Sequence, residues 1–201
     1  MTTLKIALTG GIACGKSSVS QVLANSGVAI IDLDRIAREV VKPSTQGLSA
    51  LVAHFGQGIL NTDQSLNREA LRQRLFESSD NQQTIEAILH PKILEIMQMA
   101  IEKLKTRLVV VEVPLLVEQN LAHLFDRAIV VDCHEQNQLK RLLKRDNIDE
   151  KLAKTMISAQ AGRKQRLALS EKLPTDVLEN NSEILSLEQK AQDLAQKLLN
   201  L

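Results

Sequence analysis

"GGIACGKS", Gly10 to Ser17, follows the alternating segment "LKIAL" (Leu4 to Leu8) and precedes Val19, Val22 and Leu23, three apolar residues at helical spacing. Gly10, Gly15, Lys16 and Ser17 fit the pattern G-x-x-x-x-G-K-[ST], in which a glycine-rich turn joins a strand to a helix. Glycines let the main chain wrap closely and turn successive N–H groups inward, and the start of the helix adds partial positive charge. The bland alternative is an ordinary strand-to-helix turn that ends in an exposed lysine. The strand before the turn and the helix after it favour a nucleotide phosphate cradle made by Gly10, Gly11, Ile12, Ala13, Cys14, Gly15, Lys16, Ser17 and Ser18. Lys16 is then expected to place a point charge on the β- and γ-phosphates, and the Ser17 hydroxyl to ligate Mg2+.

Outward from this turn, the helical pattern stops at Ser26-Gly27, and "VAIIDLD" (Val28 to Asp34) reads as a short buried strand with two aspartates at its end. A helix is expected from near Arg35 to before Pro43. Residues 44 to about 106 read as mainly helical, with breaks at Gly56 and Gly58, a cap at Asn67, a capping-box pair at Asp80 and Gln83, and a kink at His90-Pro91. This stretch is too long for one crossover and implies an inserted helical subdomain. "RLVVVEVPLLVE" and "RAIVVD" are two further runs of strand length, "TDVLE" is a candidate last strand, and an amphipathic helix is expected from Ser186 to Leu199. Strands alternating with helices predict an α/β fold with a parallel sheet.

Composition narrows the function classes. Lys+Arg total 25 against 24 Asp+Glu in 201 residues, so no overall field directs the chain to nucleic acid or to a membrane. Trp and Tyr are absent and Phe occurs three times, which leaves no stacking platform for single strands. The sequence carries neither a leader-like apolar segment nor an apolar run of spanning length, and we expect a cytoplasmic protein. Cys14 and Cys133 stand far apart, without metal-ligand spacing around either, and a disulfide framework is not expected in so large a core. Cys14 reads as a small packing residue or as a thiol activated by the helix end. No N-K-x-D element is present, which disfavours a guanine reader.

Other candidate residues follow from placement. Asp32 and Asp34 alternate in the expected second strand and would share one face at its C-terminal end, where ligands of parallel sheets bind; the competing role is to cap the next helix. Glu112 ends a run of valines, as a carboxylate that holds Mg2+ through water would. Lys140, Arg141, Lys144, Arg145, Arg163, Lys164 and Arg166 form a basic cluster, either a solvated helix face or a segment that closes on phosphates. His90 before Pro91 is either a ligand contact or a helix histidine satisfied by backbone.

"LTGGIACGKSSV", "IIDLDRIAREVV", "HFG", "LNREALRQRLF", "ILHPKI", "VPLLVE", "FDRAIVVD", "QLKRLLKRD" and "SAQAGRKQR" occur in the order seen in dephospho-coenzyme A kinases, which the chain resembles over nearly its whole length. The resemblance implies ATP-dependent phosphorylation of the ribose 3′-hydroxyl of dephospho-coenzyme A, the last step of coenzyme A biosynthesis, with Mg2+. It also implies a P-loop NTPase fold with a five-stranded parallel sheet flanked by helices. In one kinase domain, the core would take about residues 1–34, 106–133 and 174–201, a helical acceptor-binding insertion about 35–105, and a small lid about 134–173. By the same resemblance Asp34, Lys16 and Arg141 are the catalytic residues, and Arg141 and Asn180 contact the nucleotide. Asp34, Arg68, His90, Pro114, Leu115, Leu116, Glu118, Gln160 and Arg163 line the substrate side. A monomer or weak homo-oligomer is expected, with no nucleic-acid or membrane partner. The chain departs from the family pattern at "DLD" in place of "DAD", at Ser18 in place of threonine, and at "KPSTQG" in place of a Pro-Gly turn. The "SEKLPTDVLENNS" region also differs, which bears on the adenine-edge contact at Asn180. The rival readings are another P-loop small-molecule or nucleoside monophosphate kinase, and a regulatory module that binds ATP without transferring phosphate.

Overall fold

The computed structural model describes residues 3–182 and 184–201. The five apolar runs become strands: β1 (Leu4–Gly10), β2 (Ala29–Asp32), β3 (Leu108–Glu112), β4 (Arg127–Asp132) and β5 (Thr175–Glu179). They form one sheet in the order β2-β3-β1-β4-β5, and every neighbouring pair is parallel. Ile6, Ala7, Leu8, Val109, Val110, Val111 and Ala128 through Val131 are all fully buried. Covered on both faces, the inner strands need apolar residues at successive positions, so they read as runs rather than as alternations.

Chain direction across the sheet places the phosphate turn. From β1 the chain goes out to β2 and returns through β3 on one side, then crosses to β4 and β5 on the other. The loop after β1 therefore lies at the C-terminal edge of the strands where the order reverses, the position at which open parallel sheets bind ligands.

Helix α1 (Lys16–Asn25) and helix α9 (Ile184–Leu199) cover one face of the sheet. Leu187, Ala191, Leu194, Ala195 and Leu198 recur at three- and four-residue steps and pack with Val19 and Leu23 against Ile6, Leu8, Val110, Ile129 and Val131. Burial of a large side chain contributes about 1.5–3 kcal/mol, so this stripe anchors the helix that carries Lys16. Between β4 and β5 run α6 (Glu135–Asp146), α7 (Glu150–Ser158) and α8 (Arg163–Leu167).

Two compact units emerge, Met1–Asp32 with Leu104–Leu201, and Leu33–Lys103. The second contains α2 (Leu33–Glu39), α3 (Gln46–Phe55), α4 (Arg68–Glu77) and most of α5 (Ser79–Leu104). Its own core is formed by Val41, Leu51, Ile59, Leu71 and Ile85, with Phe55 and Ile88 packed against them. Thr45 caps α3 by accepting from the Leu48 N–H, and Asn67 caps α4 by accepting from the Ala70 N–H.

Two local expectations change. The second strand ends at Asp32, and Leu33 and Asp34 already belong to α2, because a carboxylate in the first turn suits the positive end of a helix. Helix α5 is capped not by an Asp80 and Gln83 box but by Ser78, whose Oγ accepts from the Asp80 N–H at 3.1 Å. Pro91 lies inside helix α5, at the position where the sequence predicts a kink. No described helix is long and apolar enough to cross a membrane.

Candidate active site

The turn after β1 is held in shape by close packing. A Cβ on Gly10 would stand 2.5 Å from the carbonyl oxygen of Val131 and 3.1 Å from its Cβ, so β4 passes too near for any side chain. Ala13 (φ 59) and Gly15 (φ 104) are left-handed, and a Cβ on Gly15 would also meet Asn180 Nδ2 at 2.7 Å. Left-handed residues interleaved in a turn point neighbouring N–H groups to one side, which makes an anion-binding concavity. Helix α1 starts at Lys16 with no acidic residue in its first turn, and a helix start carries partial positive charge. Ser17 is exposed beside Lys16.

Several side chains brace this turn. Asn180, 2 % exposed, donates from Nδ2 to the Cys14 carbonyl at 2.7 Å, and its Oδ1 accepts from Arg141 Nη2 at 3.1 Å. Its main-chain N–H donates to the Asp132 carbonyl at 2.7 Å. Arg141 Nη2 also donates to the Ser182 carbonyl at 3.4 Å, while its Nη1 is buried without a protein partner. Glu112 ends β3, and its carboxylate accepts from the Ser20 hydroxyl at 2.5 Å, one turn along α1 from Ser17. Residues three apart on a helix are surface neighbours, so Glu112 and Ser17 supply a carboxylate and a hydroxyl to the same end of α1. This oxygen set suits a hard ion that is also held by phosphates. Among the described residues, no cluster of three or more acidic, His or Cys side chains forms a metal site by itself.

The basic segment sorts into different roles. Arg163 grips the buried Asp132 with both nitrogens, at 2.6 to 3.0 Å, and these hydrogen bonds push its guanidinium above the ordinary arginine value despite partial burial. Arg166, 5 % exposed, donates from Nη1 to the Ala161 carbonyl, and its Nε is buried without a protein partner. Burial lowers the Arg166 value, with Asp132 and Glu118 opposing that shift. Glu118 in turn accepts from the Ala161 N–H at 2.7 Å.

The structure assembles Gly10 to Ser18, Glu112, Arg141, Gln160, Arg163 and Asn180 in one unit, and sets Asp34, Arg68 and His90 in the other. Asp34 is exposed in the first turn of α2, so it does not alternate with Asp32 along a strand face. Arg68 opens α4 and is exposed, and His90 is half-buried within α5. Leu116 is fully buried and packs in the interior, Leu115 is partly exposed, and the Pro114 carbonyl accepts from Thr9 Oγ1 at 3.5 Å. Asn180 directs its amide to the Cys14 carbonyl and to Arg141.

Cys14 departs furthest from expectation. It is bonded to Cys133, 119 residues away, with Cα atoms 5.4 Å apart, and both residues are fully buried. The parallel pairing of β1 with β4 brings the turn after one strand beside the residue after the other, a proximity that sequence spacing does not carry. Gln138, 3 % exposed and bonded to the Ile12 carbonyl, is the other participant that sequence reasoning missed.

Against known proteins, residues 4–186 match the family model for dephospho-CoA kinase. A dephospho-CoA kinase of Vibrio cholerae is 44 % identical over 179 residues, covering 89 % of this chain and 87 % of that one. A solved structure from Thermus thermophilus superposes with a TM-score of 0.83 at 24 % identity, covering 100 % of this chain and 99 % of the other. Dephospho-CoA kinase from Campylobacter jejuni superposes with a TM-score of 0.68 at 24 % identity, over 100 % of both chains.

Proposed function

The chain belongs to the dephospho-CoA kinase family, and from that premise we propose how its residues divide the transfer of an ATP γ-phosphoryl group to the 3′-hydroxyl of dephospho-CoA. The observation that carries the division of labour is the turn from Gly10 to Ser17, with left-handed residues at Ala13 and Gly15 leading into the helix that starts at Lys16. A triphosphate tail fits that concavity, and Lys16 follows charge as it moves to the β–γ bridging oxygen. Ser17 and Glu112 are the residues that would hold Mg2+, which when bound neutralises charge between the β- and γ-phosphates.

Phosphoryl transfer through a loose transition state asks for alignment and charge neutralisation more than for strong base catalysis. Asp34 orients the acceptor hydroxyl and takes its proton as the new O–P bond forms and the bond to ADP breaks. Arg68, His90 and the segment from Pro114 to Glu118 serve the acceptor side, apart from Leu116, whose burial makes it a packing residue. Arg141 contacts the nucleotide. Residues 134–173, with Gln160 and Arg163, act as a lid that keeps water from the γ-phosphate. We place this enzyme in the cytoplasm as a monomer or weak homo-oligomer without nucleic-acid partners.

The test is ADP release together with coenzyme A formation from ATP and dephospho-CoA, with and without Mg2+, by the wild type, Lys16→Ala and Asp34→Asn. Stoichiometric products from the wild type and their loss in Lys16→Ala are expected. Faster phosphorylation of a nucleoside monophosphate would overturn the acceptor assignment, and ATP binding without any product would reduce the chain to a binding module.

A further inference from the structure

One residue of the phosphate turn is gripped on both sides by amide side chains. The Ile12 N–H donates to Gln160 Oε1 at 2.7 Å, and the Ile12 carbonyl accepts from Gln138 Nε2 at 2.9 Å. Gln138 stands on α6 and is 3 % exposed, although that helix is otherwise rich in charged residues. Gln160 follows α7 and is half-buried. We propose that Gln138 and Gln160 form a two-point clamp that positions the phosphate loop for phosphoryl transfer, a role that rests on the assignment of that loop as the triphosphate site.

The N–H and C=O of one residue belong to two different peptide planes, so holding both fixes φ and ψ at Ile12. Ala13, the next residue, has φ 59, a left-handed conformation that costs a non-glycine residue about 1 kcal/mol or more and persists only where its surroundings enforce it. The clamp lies directly upstream of that residue and sets the direction of the N–H groups that follow it. Its approach also explains a glycine that the loop pattern leaves variable. Gln138 Nε2 and Arg166 Nη2 lie over the Gly11 α-carbon, and a Cβ there would stand 2.8 Å from Arg166 Nη2.

The clamp is itself anchored. Beside Gln160, the Ala161 N–H is held by Glu118 and the Ala161 carbonyl by Arg166. The chemistry calls for one donor and one acceptor of equal reach, and glutamine supplies either end. A neutral amide oxygen holds the Ile12 N–H without placing negative charge beside a triphosphate, whereas a carboxylate of the same length would repel it. Because the amides ride on α6 and on the turn after α7, displacement of those elements is transmitted to the loop through Ile12.

The experiment uses the full chain and the near-isosteric, nonpolar variants Gln138→Met and Gln160→Met. Calorimetry gives ATP affinity, steady-state kinetics give KM for both substrates, and NMR follows exchange of the Ile12 amide without nucleotide. Each variant is expected to weaken ATP binding about tenfold, as loss of one hydrogen bond at a critical position does, with the dephospho-CoA KM changed less than about twofold. Gln160→Met should speed Ile12 exchange, and Gln160→Glu, which keeps the acceptor, should restore wild-type protection while weakening ATP binding. Gln138→Glu loses the donor and should show no rescue. Unchanged Ile12 exchange in Gln160→Met, or equal loss of affinity for both substrates, would overturn the clamp. If Gln138→Met does not fold, the half-buried Gln160 still decides the matter. Failure of the wild type to make coenzyme A would remove the functional reading, whereas the exchange and ATP-binding outcomes would still judge the clamp.

Discussion

The sheet-bearing unit and the helical unit hold their candidate residues in opposite ways. Around the phosphate turn, Gln138 and Asn180 are 3 % and 2 % exposed and bonded to the main chain that they shape. In the helical unit, Asp34 and Arg68 stand exposed in the first turns of α2 and α4, over a core centred on Leu51 and Ile59. The difference teaches that the nucleotide side is preorganised by buried polar contacts, whose cost is met at folding. The helical unit, to which we assign the acceptor, presents polar groups on helix starts, where their loss is expected to leave the fold intact. Substitutions on the two sides should therefore separate into effects on stability and effects on turnover.

The largest expected effect comes from Lys16→Ala, which should lower kcat about a thousandfold or more by removing a charge that matters most in the transition state, measured by single-turnover ADP formation. Asp34→Asn should lower kcat about a hundredfold while leaving ATP affinity and the melting temperature unchanged; a fall in melting temperature would erase the contrast between the units. Asn180→Ala should act the other way. It leaves the Cys14 carbonyl without its side-chain donor and removes an acceptor from Arg141, destabilising the chain by about 2 kcal/mol in urea unfolding and weakening ATP binding with it.

The smallest effect concerns acid. Burial pushes the Asp176 carboxyl up, but the hydrogen bond and charge of Arg127, joined by Lys197, outweigh it and hold the group below the ordinary aspartate value. A carboxylate whose folded value is depressed stabilises the protein above its unfolded value and loses that contribution as pH falls through the folded one. Asp176→Asn should therefore cost about 1 kcal/mol at neutral pH, with the gap to the wild type closing below about pH 4.

Much of this was legible in "LKIALTGGIACGKS", because a strand, a glycine-rich turn and a helix start leave separate marks of periodicity and residue type. "TDVLE" was legible as β5 for the same reason. The end of β2 was not, since "DLD" continues the alternation of a strand while Asp34 also suits a helix start. Gln138 was missed because, in the run Gln136-Asn137-Gln138 at the start of a charged helix, nothing sets it apart from a solvated amide, and only the folded chain brings it to Ile12. That Asn180 holds the Cys14 carbonyl was not legible either, because the contact spans 166 residues and exists only once β5 lies beside β4.

The bond between Cys14 and Cys133 adds a chemical condition to the nucleotide site. Thermodynamic linkage requires that whatever factor the bridge applies to ATP affinity, ATP applies to the equilibrium between bridge and dithiol. Both sulfurs belong to residues with no exposed surface, so a small thiol reagent reaches them only when the loop region opens. If a bound triphosphate holds the loop shut, thiol exchange is expected to slow when ATP is added, and its rate would then time the opening of the loop.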